Sequence, residues 1–251
     1  MLRSSNIGHI GHPSLLDRLY RRISPIPPSP SPRTKDENYK LPLVPAAALT
    51  DRLEEILHLL QSQTSAQIGD YAEFGVYNGT SMGCMFDALS RLRLDRIQLF
   101  GFDSFMGLPP EASQEDGGVW KPGQFACPKQ VTIENLSARG VPLNRVHLVE
   151  GWYRDTLGLS PDDYGIERVS VVMMDCDAYS SARLALAFIH PVLANVAAIA
   201  FDDWKLNDLD IKGMGEFRAF NEFLSHHAEL SIETLPGYNR KSKIFILRKH
   251  S

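Results

Sequence analysis

Short apolar runs separated by amphipathic stretches recur along most of this chain. Asp70–Phe74, Gln98–Phe102, Val146–Val149, Val169–Met174 and Ala197–Phe201 each read as a strand. Runs that are apolar at consecutive positions suit strands buried on both faces, as in a parallel sheet. Between them Ser81–Arg93, Ile133–Arg139, Ser180–Leu193 and Gly215–His226 read as helices. An earlier helix is expected to start near Thr50, with Leu53, Ile56, Leu57 and Leu60 on one stripe. Strands alternating with helices predict an α/β fold whose sheet is covered on both sides. The end of the chain breaks the alternation. Leu230–Leu235 and Lys243–Leu247 flank Pro236-Gly-Tyr-Asn-Arg-Lys241, which predicts a C-terminal hairpin and an antiparallel strand in a mostly parallel sheet.

Residues 1–45 follow another pattern. Ile26-Pro-Pro-Ser-Pro-Ser-Pro32 excludes helix and central strand, because proline fixes φ and lacks an amide donor. Leu15, Leu16, Leu19 and Ile23 fit one face of a short helix before it. This stretch is expected to be a Pro-rich arm, either a tail or a lid over a pocket. Residues 46–251 are expected to form the single folded domain.

Composition narrows the function classes. The chain has 251 residues, 43% hydrophobic and 22% charged, with a net charge of −4. That balance argues against a nucleic-acid or anionic-membrane partner. No apolar run reaches membrane-span length, and the first residues lack the apolar core of a signal peptide. The three cysteines, Cys84, Cys127 and Cys176, show no CxxC spacing and read as reduced thiols of a cytoplasmic protein.

The chemistry concentrates at strand ends. Val-Val-Met-Met-Asp175-Cys-Asp177 and Ala-Ile-Ala-Phe-Asp202-Asp203-Trp both place acids just past an apolar run. Ligands of open α/β sheets bind beyond the carboxyl ends of such strands. Converging carboxylates repel one another unless a cation sits among them, and a hard divalent ion with oxygen ligands suits them. Capping of the following helices is the plainer alternative for each acid taken singly. Upstream, Tyr71-Ala-Glu73-Phe-Gly75-Val-Tyr77-Asn78-Gly79-Thr80-Ser81 joins a strand to a helix through two glycines, without the GxGxxG spacing of a dinucleotide site. The next strand ends in Gly-Phe-Asp103-Ser104, where an acid is placed to accept from ribose hydroxyls. The histidines offer no better base: His147 reads as part of a buried strand, and His226-His227 as a helix end.

Together these segments resemble a known family. Glu73-Phe-Gly-Val-Tyr-x-Gly-x-Ser81, Gly-Phe-Asp103-Ser-Phe-x-Gly107-Leu-Pro109, Glu150-Gly151-Trp152-Tyr-x-Asp155-Thr-Leu157, Met-Asp175-x-Asp177-x-Tyr179-x-Ser181 and Asp202-Asp203-Trp204 occur in that order. The series, from about Thr50 to the C-terminus, resembles the macrocin O-methyltransferases, the TylF/MycF-like sugar methyltransferases. The resemblance implies a class I, Rossmann-like sheet of seven strands that uses S-adenosylmethionine (SAM) and magnesium to methylate a hydroxyl. It implies that Glu73, Gly75, Tyr77, Asn78, Thr80 and Ser81 surround the methionine part of the cofactor. Asp103 would bind the ribose, with Ser104 beside it. Gly151 and Trp152 would lie near the adenine, a core role for Trp152 being equally open. Asp175, Asp202 and Asp203 match the metal ligands, Asp175 also bordering the cofactor. Asp175 is the first candidate proton acceptor and Asp177 the second, a helix cap or a partner of the ligands being the plainer reading of Asp177.

Two positions depart from the pattern. Met106 stands where an acid is common, and Ala178 offers no base where related catechol enzymes carry a lysine. The expected activity is Mg-dependent O-methylation of a small-molecule hydroxyl, on a sugar or vicinal diol of a natural product. A catechol- or phenol-directed enzyme and a non-catalytic SAM-binding protein are the alternatives. No nucleic-acid or membrane partner is expected, and a homo-oligomer is compatible with the sequence.

Overall fold

The computed structural model describes residues 43–250. The expected arm, residues 1–45, lies outside the described residues except at its last three positions. Helix α1 spans Ala46–Gln63, followed by β1 (Asp70–Phe74), α2 (Thr80–Arg91), β2 (Leu99–Asp103), α3 (Lys129–Ala138) and β3 (Val146–Glu150). Then come β4 (Val169–Met174), α4 (Tyr179–Ile189), β5 (Leu193–Phe201), α5 (Gly215–His226), β6 (Leu230–Leu235) and β7 (Lys243–Lys249). The strands form one seven-stranded sheet in the order β3-β2-β1-β4-β5-β7-β6. β1 to β5 are parallel, and β7 pairs antiparallel with both β5 and β6. The terminal hairpin is therefore present, with β7 inserted between β5 and the edge.

Alternate strand residues feed two cores. Tyr71, Val171, Met173, Ala198, Ile244 and Ile246 pack with the α1 stripe Leu53, Ile56, Leu57 and Leu60. Phe74, Phe102, Val172, Phe201 and Phe245 pack on the other face with Phe188 of α4 and Phe220 of α5. Burial of both faces explains the unbroken apolar strands. Among the described residues no helix is long and apolar enough to cross a membrane.

Some boundaries differ from expectation. α1 begins at Ala46, a turn before Thr50, because Ala46-Ala-Ala48 are strong helix formers behind Pro45. α3 begins four residues early, just after Pro128. α4 stops at Ile189, since Pro191 cannot continue it, and β5 begins at Leu193. His147, expected in a buried strand, is exposed because β3 lies at the sheet edge, and it stacks on Phe100 at 4.6 Å between centroids.

The strand order reverses at the β1/β4 boundary, where chains of this topology leave a crevice. The ladders run one residue past the strands there. The Gly75 amide donates to the Phe102 carbonyl, the Asp175 amide to Phe74, and the Asp202 amide to Met174, each at 2.9 Å. These bonds fix Gly75, Asp175 and Asp202 side by side before any side chain is considered.

Candidate active site

A cavity of about 420 Å³ opens over this edge, within the usual range for small-molecule sites. Its floor includes Gly75, Asp103, Gly151, Asp175 and Asp202. Gly75 has φ +89°, and a Cβ there would fall 1.8 Å from the Asp175 carbonyl oxygen. Only glycine lets β1 turn away while β4 passes this close.

Asp103 holds the first loop in place. Its Oδ2 accepts from the amides of Val76 (2.7 Å) and Tyr77 (2.8 Å), and its Oδ1 from Phe105 (2.6 Å). A carboxylate offers about four acceptor sites. The residue expected to bind ribose thus spends most of its capacity ordering the loop around the cavity. Tyr77, Ser104 and Trp152 also line the cavity. Trp152 is half-buried, so its core reading does not apply.

Glu73, Asn78, Thr80 and Ser81, expected around the cofactor, are not among the described lining residues. Glu73 is fully buried and accepts from Tyr71 Oη at 2.9 Å and from Ser81 Oγ. Burial pushes its carboxyl up to about 8, against the pull of those two hydrogen bonds. Asn78 Oδ1 accepts from the Thr80 amide (3.1 Å) and from Thr80 Oγ1 (2.7 Å) at the start of α2. These residues support the loop from behind.

The acids converge as their positions at the strand ends suggest. Asp175, Asp202 and Asp203 each place a carboxylate oxygen within 4.8 Å of the others. Burial, then the charges of Asp202 and Asp203, lift Asp175 well above the ordinary carboxylate range. Burial and then Asp203 do the same to Asp177, which faces the cavity with a left-handed backbone, φ +64°. An all-oxygen set with surplus negative charge fits a hard divalent cation.

Four partners of this cluster were not visible in the sequence, three of them from one turn. Lys241 Nζ donates to Asp202 Oδ2 at 2.5 Å and to Asp203 Oδ1 at 2.8 Å. Burial pulls its ammonium down, but the Asp203 and Asp202 charges outweigh that and raise it. Tyr238 Oη and Asn239 Nδ2 (3.2 Å) both donate to Asp202 Oδ1. All three sit in the β6–β7 turn, which the sequence marks only as a turn. Glu216 of α5, 1% exposed, accepts from the Asp203 amide at 3.1 Å and is lifted by burial, then by Asp203. A glutamate at a helix start reads as an ordinary first-turn acid, so nothing local signals this contact.

One wall comes from residues 104–128. Ser104 Oγ donates to the Gly107 carbonyl at 2.7 Å. Gly107 has φ +83°, and a Cβ there would meet the Gly123 and Gln124 carbonyl oxygens at 2.5 Å. The Leu108 amide donates to Gln124 (2.9 Å) and the Gly123 amide to Leu108 (2.8 Å). This pairing closes the segment into a strap over a small core in which Leu108, Ala112 and Trp120 pack with Ala178 and Leu209. Met106, at the position noted as a departure, is 60% exposed. Cys84, Cys127 and Cys176 are free and buried.

The chain resembles proteins of known sequence and structure. It is 26% identical over 164 residues to the 8-demethyl-8-(2,3-dimethoxy-alpha-L-rhamnosyl)-tetracenomycin-C 4'-O-methyltransferase of Streptomyces olivaceus, covering 62% of this chain and 61% of that one. It is 26% identical over 168 residues to the mycinamicin III 3''-O-methyltransferase of Micromonospora griseorubida, covering 61% and 62%. The chain thus spans less than two thirds of the length of these curated relatives. Among solved structures, the calicheamicin methyltransferase CalS11 matches at TM-score 0.58 and 25% identity, covering 96% of this chain and 98% of that one. The O-methyltransferase NovP shares the fold at TM-score 0.63 and 18% identity, covering 81% and 80%. The macrocin-O-methyltransferase (TylF) family model matches residues 33–235, most of the chain. With that match over a sheet and acid cluster of the expected kind, the chain belongs to the macrocin-O-methyltransferase (TylF) family.

Proposed function

We propose that this protein is a SAM- and magnesium-dependent O-methyltransferase acting on a hydroxyl of a sugar or vicinal diol in a natural product. The observation that carries the reading is the convergence of Asp175, Asp202 and Asp203 in the cavity that Gly75 and Asp103 also line. The name of one relative, an O-methyltransferase of a rhamnosyl-tetracenomycin, supports the acceptor class.

SAM supplies a methyl group on a sulfonium, which leaves as a neutral thioether. Asp175, Asp202 and Asp203 would hold the divalent ion, whose charge makes a nearby alcohol more acidic. The chain's own residues do the rest. Gly75 leaves room for close backbone approach, and Asp103 fixes the loop that shapes the cofactor end. Trp120 and Trp152 exclude water from the walls. Asp177 lies in the cavity outside the ligand set and takes the hydroxyl proton; Asp175 is primarily a ligand. A base need only reach the proton directly or through one water.

The test is turnover of the purified enzyme on a panel of glycosylated diols and catechols, with methylated product detected by mass. EDTA should abolish turnover and added Mg²⁺ should restore it. Asp203→Asn should lose at least about 100-fold in kcat, since electrostatic stabilisation contributes factors of that order. Full activity in exhaustively chelated enzyme would overturn the metal role, and preference for catechols would overturn the acceptor class.

A further inference from the structure

We infer that His190, His227 and Glu229 form a second metal site, selective for a transition metal such as Zn²⁺ and unconnected with the cavity. Three chain segments meet there. His190 follows the last turn of α4, His227 follows α5, and Glu229 precedes β6. His190 Nε2 lies 3.2 Å from Glu229 Oε1, and His227 Nδ1 lies 3.1 Å from the same oxygen. The two rings are 3.8 Å apart between centroids. One donor atom from each residue lies within 4.8 Å of the others.

The two nitrogen–oxygen spacings are close to those of a tetrahedral zinc site. Zinc bonds of about 2.0–2.2 Å to nitrogen and oxygen place neighbouring donors roughly 3.3–3.5 Å apart. The rings, 3.8 Å apart between centroids and tilted by 35°, would splay apart by about 1 Å to aim both nitrogens at one ion. Both imidazoles are half-buried, and Phe223 packs against both rings, at 5.5 Å from His190 and 4.5 Å from His227. The neighbouring charges are accounted for. Lys249 Nζ is held by the Leu193 carbonyl at 2.8 Å, His250 bonds Ser231 Oγ at 2.6 Å, and His226 Nδ1 faces the Glu222 carbonyl at 2.7 Å.

Donor chemistry separates the two sites. Imidazole nitrogen favours zinc, nickel and copper, whereas the carboxylates of the cavity favour magnesium. The two also lie at opposite ends of β5: His190 precedes its start, and Asp202 follows its last residue. Nine residues of strand put them roughly 25–30 Å apart at about 3.3 Å per residue. The ion would clamp the α4–β5 junction to the α5–β6 junction, leaving a fourth position for water.

The test uses the full chain, stripped of metal and then held in saturating Mg²⁺, titrated with Zn²⁺ by calorimetry and with Co²⁺ by visible absorption. One equivalent should bind in the wild type and in Asp175→Asn. His190→Gln and His227→Gln should each weaken binding at least tenfold, and Zn²⁺ should raise Tm in the wild type but not in these variants. X-ray absorption on the zinc-loaded wild type reads the ligands without any substitution, and should show two imidazoles. An all-oxygen shell, unchanged affinity in folded His227→Gln, or no stoichiometric binding would overturn the assignment.

Discussion

At the scale of single residues, Lys241 has two opposed effects. Its ammonium neutralises Asp202 and Asp203, and as a residue lining the cavity beside them it repels any cation that joins the cluster. Like charges about 4 Å apart repel by roughly 4 kcal/mol at an effective dielectric near 20. Lys241→Met keeps the aliphatic stem and removes that charge. It should bind Mn²⁺ at least tenfold more tightly by calorimetry, and should lower Tm in chelator, since stranding a buried charge costs about 3–5 kcal/mol. Weaker Mn²⁺ binding would mean that Lys241 assists the ion rather than competing with it. Glu73 makes a separate prediction. Its carboxyl titrates near 8 in the folded protein against 4.5 ordinarily. Between those values the native state holds a proton that the unfolded chain releases, so stability falls as pH rises through that window and is full below it. Glu73→Gln should remove this slope. A wild-type-minus-variant Tm difference that stays flat from pH 4.5 to about 8 would show that Glu73 is already ionised.

At the scale of elements, the strap over residues 104–128 ties the cavity wall to two helices. Asp116 Oδ2 accepts from the Tyr179 amide (2.9 Å) and Trp120 Nε1 (3.2 Å), and its Oδ1 from the Gly215 amide (2.8 Å). Glu115 accepts from the Ser180 amide at 2.9 Å and from Ser180 Oγ at 2.7 Å. Two acids from one strap thus serve the starts of α4 and α5, where negative charge is favourable. Asp116→Ala should cost about 1–2 kcal/mol per helix start. It should also raise the acceptor KM as Trp120 loosens, while SAM affinity in calorimetry changes little. Equal losses in both would place the strap over the cofactor instead. None of this was legible in the sequence, because Asp116 and Tyr179 are 63 residues apart and the strap has no periodicity of its own. The strands were legible because burial on both faces writes itself as unbroken apolar runs. The acids were legible because they follow those runs directly. Lys241, Tyr238 and Glu216 were not, since a residue's distant partner leaves no local pattern.

At the scale of the whole molecule, the fold holds its charges at a cost in stability. The sheet is braced by two aromatic and aliphatic cores, and its open edge gathers Asp175, Asp177, Asp202, Asp203 and Glu216 against the single ammonium of Lys241 among the described neighbours. Asp175 bears much of that cost, lifted by burial and then by Asp202 and Asp203. Asp175→Asn keeps the shape and removes one of the repelling charges. In chelator the variant should therefore melt above the wild type. A divalent ion should reverse the order. A ligand at 100 times its Kd stabilises by about 2.7 kcal/mol. At roughly 2–4 °C per kcal/mol for a chain of this length, the wild type should gain about 5–10 °C in Mg²⁺. Asp175→Asn, lacking one ligand charge, should gain much less, so the two melting curves should exchange places across a magnesium titration. If the variant melts below the wild type in chelator, Asp175 is a stabilising cap rather than a strained ligand. If it gains as much from Mg²⁺ as the wild type does, the ion does not sit at Asp175.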